Sequence, residues 1–288
     1  MKKKRAISLA GVVCVAIVVG VLMYWNSHRD RKVGRLIETG LPNEGECMEE
    51  RGDFIPYYSV NDSDMVLFSL GNLQYQASSG TWCNEVNMDG CVCDNNSYDP
   101  EGDWLRLFGW SGRNRTASYG VSESERSADY RGEFVDWGRN MIDTIDGNEW
   151  RTLSIDEWDY LFRKRENADI LCSKATLEGM AGLILLPDNY TDSAPIPWTG
   201  KAEDYGTYCF SMEQWIEMDI AGAVFLPASG RRVGKEVREE QERGYYWSST
   251  AVDGDREKAY CVSFGERLET RDAAPRSTGL SVRLVRDL

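Results

Sequence analysis

The chain has 288 residues, 47 of them acidic against 33 basic, and a net charge of −14. So acidic a surface repels phosphate backbones, and no basic stripe interrupts it, which argues against nucleic-acid binding. Its length beyond the first segment suits one large domain or two small ones.

The first element is Ala6 to Trp25, an unbroken apolar run preceded by Lys2, Lys3, Lys4 and Arg5. About 20 helical residues cross the ~30 Å hydrocarbon core, so residues 6–25 are predicted to enter the lipid bilayer as one transmembrane helix. Tyr24 and Trp25 at its exit suit the headgroup region. A cleaved signal peptide is the alternative, but its apolar core runs only ~7–15 residues and ends in small residues. Here the run ends in Met23-Tyr24-Trp25. A lipid-bearing cysteine normally follows a small residue, whereas Cys14 follows Val13. Basic residues also follow the run (Arg29, Arg31, Lys32, Arg35), so the charge count is even. The closer N-terminal cluster favours an inside N-terminus and a large extracytoplasmic domain on a single-pass protein of the cell membrane. The expected organisation is an anchor over 1–25, a stalk over 26–59 and a domain over 60–288.

In the domain, Met65 to Ser69 and Leu73 to Tyr75 read as strands across the Gly71-Asn72 turn. Residues 83–148 are rich in Gly, Asn, Ser and Asp with scattered aromatics, the pattern of long loops packed by their own side chains. Ser154-Ile-Asp-Glu157 is a capping box, and Ile155, Trp158, Leu161 and Phe162 share one helical face behind it. Arg163, Lys164 and Arg165 fall in the last turn, opposite the negative end of the macrodipole. Strands over Ala175–Leu177 and Met180–Leu186 follow, closed by Pro187. The pattern repeats: Ser211-Met-Glu-Gln214 caps a second helix carrying Trp215, and Gly222 to Pro227 echoes Gly182 to Pro187. Tyr245–Thr250, Ala259–Phe264 and Leu280–Val285 read as strands, with a loop over 265–278. Hairpin-linked strands with two convincing helices predict an α+β domain with antiparallel sheet.

Seven cysteines lie beyond the anchor, at 47, 83, 91, 93, 172, 209 and 261, so at least one is unpaired within the chain. Export permits disulfides, and Cys83, Cys91 and Cys93 are close enough to staple a local loop. Zinc is the competing reading of the Cys91-Val-Cys93 pair, without a second C-x-x-C or any histidine beyond His28 to complete it. No Ser-His-Asp constellation is available for the same reason. The adjacent carboxylates Asp156 and Glu157 are explained by the first turn of a capped helix, without catalysis.

Gly71-Asn-Leu-Gln-Tyr75, Trp150-Arg-Thr-Leu-Ser-Ile-Asp-Glu-Trp158, Tyr246-Trp-Ser-Ser-Thr250 and Gly279-Leu-Ser-Val-Arg-Leu-Val285 occur in that order. Together they resemble the Fibrobacter succinogenes major paralogous domain and the formylglycine-generating (sulfatase-modifying) enzyme superfamily. That resemblance covers roughly residues 60–288 and implies a C-type-lectin-like fold with an irregular antiparallel sheet, two helices and long loops. It does not fix a function. An oxidase of the formylglycine-generating type uses a cysteine pair, for which Cys209 and Cys261 are the nearest candidates, neither in a matching motif. The Glu-Pro-Asn and Gln-Pro-Asp triplets of calcium-dependent lectins are absent from the sequence. Asp253, Asp255 and Glu257 alternate in a way that Ca²⁺ ligands can, although a solvated hairpin tip accounts for them, so no cofactor is expected.

The resemblance further implies ligand contacts in the last loops before the terminal strand. The expected contacts are Asp253, Arg256, Tyr260, Arg267, Arg271 and Arg276, over a framework of Trp247, Phe264, Val282 and Leu284. Replacing the last three arginines together is expected to spare the fold. Trp198, in Pro197-Trp-Thr-Gly200, is a further candidate as an exposed sugar platform. The functional expectation is a membrane-anchored, non-catalytic binding or adhesion module of a bacterial envelope, taking a surface glycan or protein ligand. The alternatives are a divergent formylglycine-generating-type oxidase and a purely structural envelope protein.

Overall fold

The computed structural model describes residues 55–84, 104–112, 118–140, 150–190 and 195–288. The predicted bilayer segment 6–25, most of the stalk, and Cys47, Cys91 and Cys93 lie outside the described residues. No helix among the described residues is long and apolar enough to cross a membrane.

In chain order, β1 (Tyr58–Ser59), β2 (Met65–Phe68), β3 (Gln74–Gln76), β4 (Thr81–Cys83) and β5 (Trp104–Leu105) come first. Then follow β6 (Arg151–Thr152), α1 (Ile155–Arg163), β7 (Cys172–Leu177), β8 (Met180–Leu185), β9 (Cys209–Phe210) and α2 (Met212–Ile220). The last third holds β10 (Val224–Pro227), β11 (Arg231–Val233), β12 (Glu236–Arg238), β13 (Gly244–Ala251), β14 (Lys258–Phe264), β15 (Glu269–Pro275) and β16 (Leu284–Asp287). The α+β class is therefore as expected. The predicted domain boundary at 60 shifts slightly, because Tyr58 and Ser59 pair with Val66 and Met65 and belong to the first sheet.

Two sheets partition three apolar cores. In the meander β13-β14-β15, Tyr246, Val262 and Phe264 face the core that holds Trp158 and Phe162 of α1. Tyr245, Trp247, Ala259 and Cys261 face the opposite core, with Phe108, Trp110 and Trp137. In the sheet β10-β8-β7-β9, Leu183 and Leu185 join the first core while Ile184 joins Trp215 and Met218 of α2 in the third. Period-2 alternation between two covered faces explains why every residue of β8 is buried and reads as one continuous apolar run. The remaining large sheet has the order β1-β2-β16-β6, which places the C-terminal strand in its interior. The aromatic stretch behaves as expected within its described parts, with Phe108, Trp110, Tyr130 and Trp137 buried among short 3₁₀ turns.

Both capping boxes are formed. Ser154 Oγ accepts from the Glu157 amide at 3.3 Å, and the Glu157 carboxylate accepts from the Ser154 amide at 2.7 Å. Ser211 and Gln214 repeat the exchange at the start of α2. Ser154→Ala should cost ~1 kcal/mol, read as a lower denaturation midpoint at unchanged urea m-value.

Three expectations change. Arg165 does not serve the helix dipole: it is buried, donating to the Leu186 and Leu171 carbonyls and to Asp188 at 2.7 Å, with its guanidinium 5.6 Å from the Tyr58 ring centre. The stretch Leu280–Val285 is a strand only from Leu284 onward. Its earlier part shares its hydrogen bonds among separate partners, with Leu280 on Phe108, Ser281 on Tyr245 and Trp247, and the Val282 carbonyl on Leu73, so no single ladder forms. Third, residues 269–275, expected within a loop, form β15. Thr270 and Ala274 point inward while Glu269, Arg271, Ala273 and Pro275 are exposed. An edge strand guarded by charges and a proline lacks the large apolar alternation that announces a strand.

Candidate functional site

The expected contact residues do not converge. In the meander, the turn carrying the exposed Asp253 and Arg256 and the turn carrying the exposed Arg267 lie at opposite ends of β14. Seven residues of strand separate the two turns, a distance on the order of 20 Å at ~3.3 Å per residue. Tyr260 is half-buried and packs against the first core. Arg276 is not a surface contact. It is 4% exposed, its guanidinium lies 4.3 Å from the Trp110 ring centre, and it donates to the Lys258 carbonyl at 3.0 Å and the Gly132 carbonyl at 3.2 Å. Burial lowers its pKa from the ordinary arginine value. The framework itself is as expected, since Trp247, Phe264, Val282 and Leu284 are all buried.

Trp198 is half-buried. Its indole stacks on Tyr208 with ring centres 4.8 Å apart, and its N–H donates to the Ile170 carbonyl at 2.6 Å, so one face is spent on the third core. The acidic hairpin tip is also internally occupied. The Asp255 carboxylate accepts from the Glu257 amide at 2.9 Å, and Glu257 pairs with Arg131 at 2.7 Å. No cluster of three potential metal-ligating side chains occurs among the described residues. Cys261 is buried in β14 and its thiol is pushed up chiefly by that burial, which disfavours the thiolate. Cys209 is exposed in β9 on another sheet, its Sγ 3.2 Å from the Gly206 carbonyl oxygen. The two do not form the pair that an oxidase of the implied type requires.

Arg271 is the expected contact that leads to a concavity. Exposed on β15, it forms an ion pair with Asp156 in the first turn of α1. Asp156 borders an open cleft of about 480 Å³ between the β1–β2 turn and the polar face of α1. Val60, Asn61, Ser154, Glu157, Tyr160 and Lys164 complete its walls. The turn is rigid because Asn61 Oδ1 accepts the amides of Ser63 and Asp64, each at 2.8 Å, and Asn61 Nδ2 donates to Asp64 at 2.8 Å. The bonds from Asn61 and Ser63 hold the Asp64 carboxyl below the usual range. Tyr160 projects from the helix, its hydroxyl donating to Asp62 Oδ1 at 3.0 Å.

Each charge around the cleft has an internal counterpart. Arg151 grips Glu157 with two nitrogens at 2.7 and 3.0 Å and also reaches Asp287 at 2.7 Å. Lys164 Nζ lies 2.9 Å from Asp159, which accepts the Thr270 hydroxyl at 2.6 Å. Burial alone would raise the Asp159 carboxyl, but the Thr270 and Lys164 contacts hold it below its ordinary value. The amide of Ile155 donates to Thr250 Oγ1 at 3.0 Å, fixing the start of α1 to the end of β13. Asn61, Asp156 and Tyr160 were not among the expected site residues. The available signal was the spacing of Asp156, Tyr160 and Lys164 at i, i+4 and i+8, a polar stripe opposite the buried face.

No family model, curated protein or solved structure matches the chain.

Proposed function

We propose that the protein is a membrane-anchored, extracytoplasmic binding module with a C-type-lectin-like fold, working without catalysis. The apolar run over 6–25 behind four basic residues supports the anchor and the orientation. The two capped helices, the short antiparallel sheets and the long packed loops support the fold assignment. The observation that carries the binding reading is the open cleft beside Tyr160, whose volume falls within the ~300–1,000 Å³ typical of small-ligand sites. Its walls are a helix and a hydrogen-bonded turn, so the contact groups are preorganised. The surface runs along the polar face of α1 from Asp156 to Lys164, beside Arg271.

The test uses the full chain. Protease added to intact cells is expected to degrade the domain and spare the anchor, and the detergent-solubilised chain is expected to retain ligands on glycan and protein arrays without added metal. Protection until lysis, or no ligand on either array, would overturn the reading.

A further inference from the structure

The cleft's lining selects a ligand class. It mixes acceptors, the carboxylates of Asp156 and Glu157, with donors, the amide of Asn61 and the ammonium of Lys164, around one aromatic ring. A cationic ligand is disfavoured because the carboxylates are already paired with Arg271 and Arg151. An anionic ligand is disfavoured because Lys164 is committed to Asp159. A site with little uncompensated charge and alternating donors and acceptors matches hydroxyl groups, each of which donates one proton and accepts through two lone pairs. The ring of Tyr160 offers an apolar face beside them, and its hydroxyl is tethered to Asp62, so its orientation is fixed before binding. We infer that this cleft, between the β1–β2 turn and α1, is a binding site for an uncharged saccharide, resting on the reading of the protein as a binding module.

In this arrangement the pyranose ring stacks its C–H face on Tyr160, and its hydroxyls donate to Asp156 and accept from Asn61 and Lys164. Asp156 is suited to that contact, because its side chain is 79% exposed and its only ion pair among the described residues, to Arg271, leaves a second carboxylate oxygen for the ligand.

The experiment is a pair of glycan and protein arrays, the glycans including uncharged, sialylated and sulfated members, probed with the full chain in detergent micelles, followed by titration of the strongest uncharged glycan as a soluble probe. Tyr160→Ala and Asp156→Asn are each expected to weaken its binding by about tenfold or more, the loss typical of a central contact. Arg238→Ala, exposed on β12 in the separate two-stranded sheet and lining no wall of the cleft, is expected to leave it unchanged. Asp156→Asn is isosteric at an exposed position, so it remains informative if Tyr160→Ala folds poorly. Normal binding by Asp156→Asn and by folded Tyr160→Ala would overturn the cleft while leaving the binding module in place. Retention only of sialylated or sulfated glycans, or only of proteins, would overturn the uncharged saccharide and likewise spare the module. Silence on glycan and protein arrays alike would remove both.

Discussion

Trp158→Ala is expected to destabilise the domain by ~3–5 kcal/mol, the range for deleting a buried large aromatic. The side chain is 0% exposed at the centre of the first core. It stacks on Phe162 with ring centres 5.6 Å apart and lies 6.0 Å from Phe68 and 6.4 Å from Tyr246. These partners come from α1, β2 and β13, so the cavity would loosen three elements together. The indole N–H finds no hydrogen-bond partner among the described residues, so Trp158→Phe should cost much less. Urea titration of both variants checks this. Equal midpoints for the alanine variant and the parent would put the ring in solvent and undo the packing of α1.

Arg276→Ala is expected to cost ~3 kcal/mol or more, whereas Arg267→Ala, on an exposed turn, should fall within ~0.5 kcal/mol. Removing the guanidinium deletes its charge-assisted hydrogen bonds to the carbonyls of Lys258 and Gly132, each worth ~1.5–3 kcal/mol. The stacking on Trp110 adds ~0.5–2 kcal/mol. Arg276→Lys keeps the charge but loses the planar fork, so it should recover only part of the loss. Thermal melts of the three variants separate these outcomes, and an unchanged Tm for Arg276→Ala would return this arginine to the surface. The combined replacement of Arg267, Arg271 and Arg276 is thus no test of binding, because the third change damages the fold.

What the sequence revealed about this fold follows from the range of the interactions. The capping boxes at Ser154 and Ser211 and the face Ile155-Trp158-Leu161-Phe162 are local, set by spacings of three and four residues, and they were legible. The strand β15 was not, because Glu269, Arg271 and Pro275 are the residues an edge strand uses for protection and also the residues that mark a loop. The role of Arg276 was illegible for a different reason: its partners at 110 and 132 are distant in sequence, and no periodicity connects them. The cleft combines Asn61 with Tyr160, nearly a hundred residues apart, so only the helical half of it left a trace in the spacing of Asp156, Tyr160 and Lys164.

The interior position of β16 has a consequence for how the protein comes into being. Val285 pairs with both Phe68 and Arg151, so β2 and β6 are joined only through a strand at residues 284–287. Until that strand has left the ribosome, β2 and β6 each have an unsatisfied edge and the first core lacks Val285. Such long-range pairing carries a loop-closure cost that local helices do not, which slows folding. The sheet β1-β2-β16-β6 therefore cannot be completed until the last residues appear, whereas the third core, drawn from residues 171–225, needs nothing from β16. A stop codon before residue 284 should leave the apolar strand β2 unpaired on that edge and yield a product that is degraded or aggregates, even though both helices and most of the sheet residues are present.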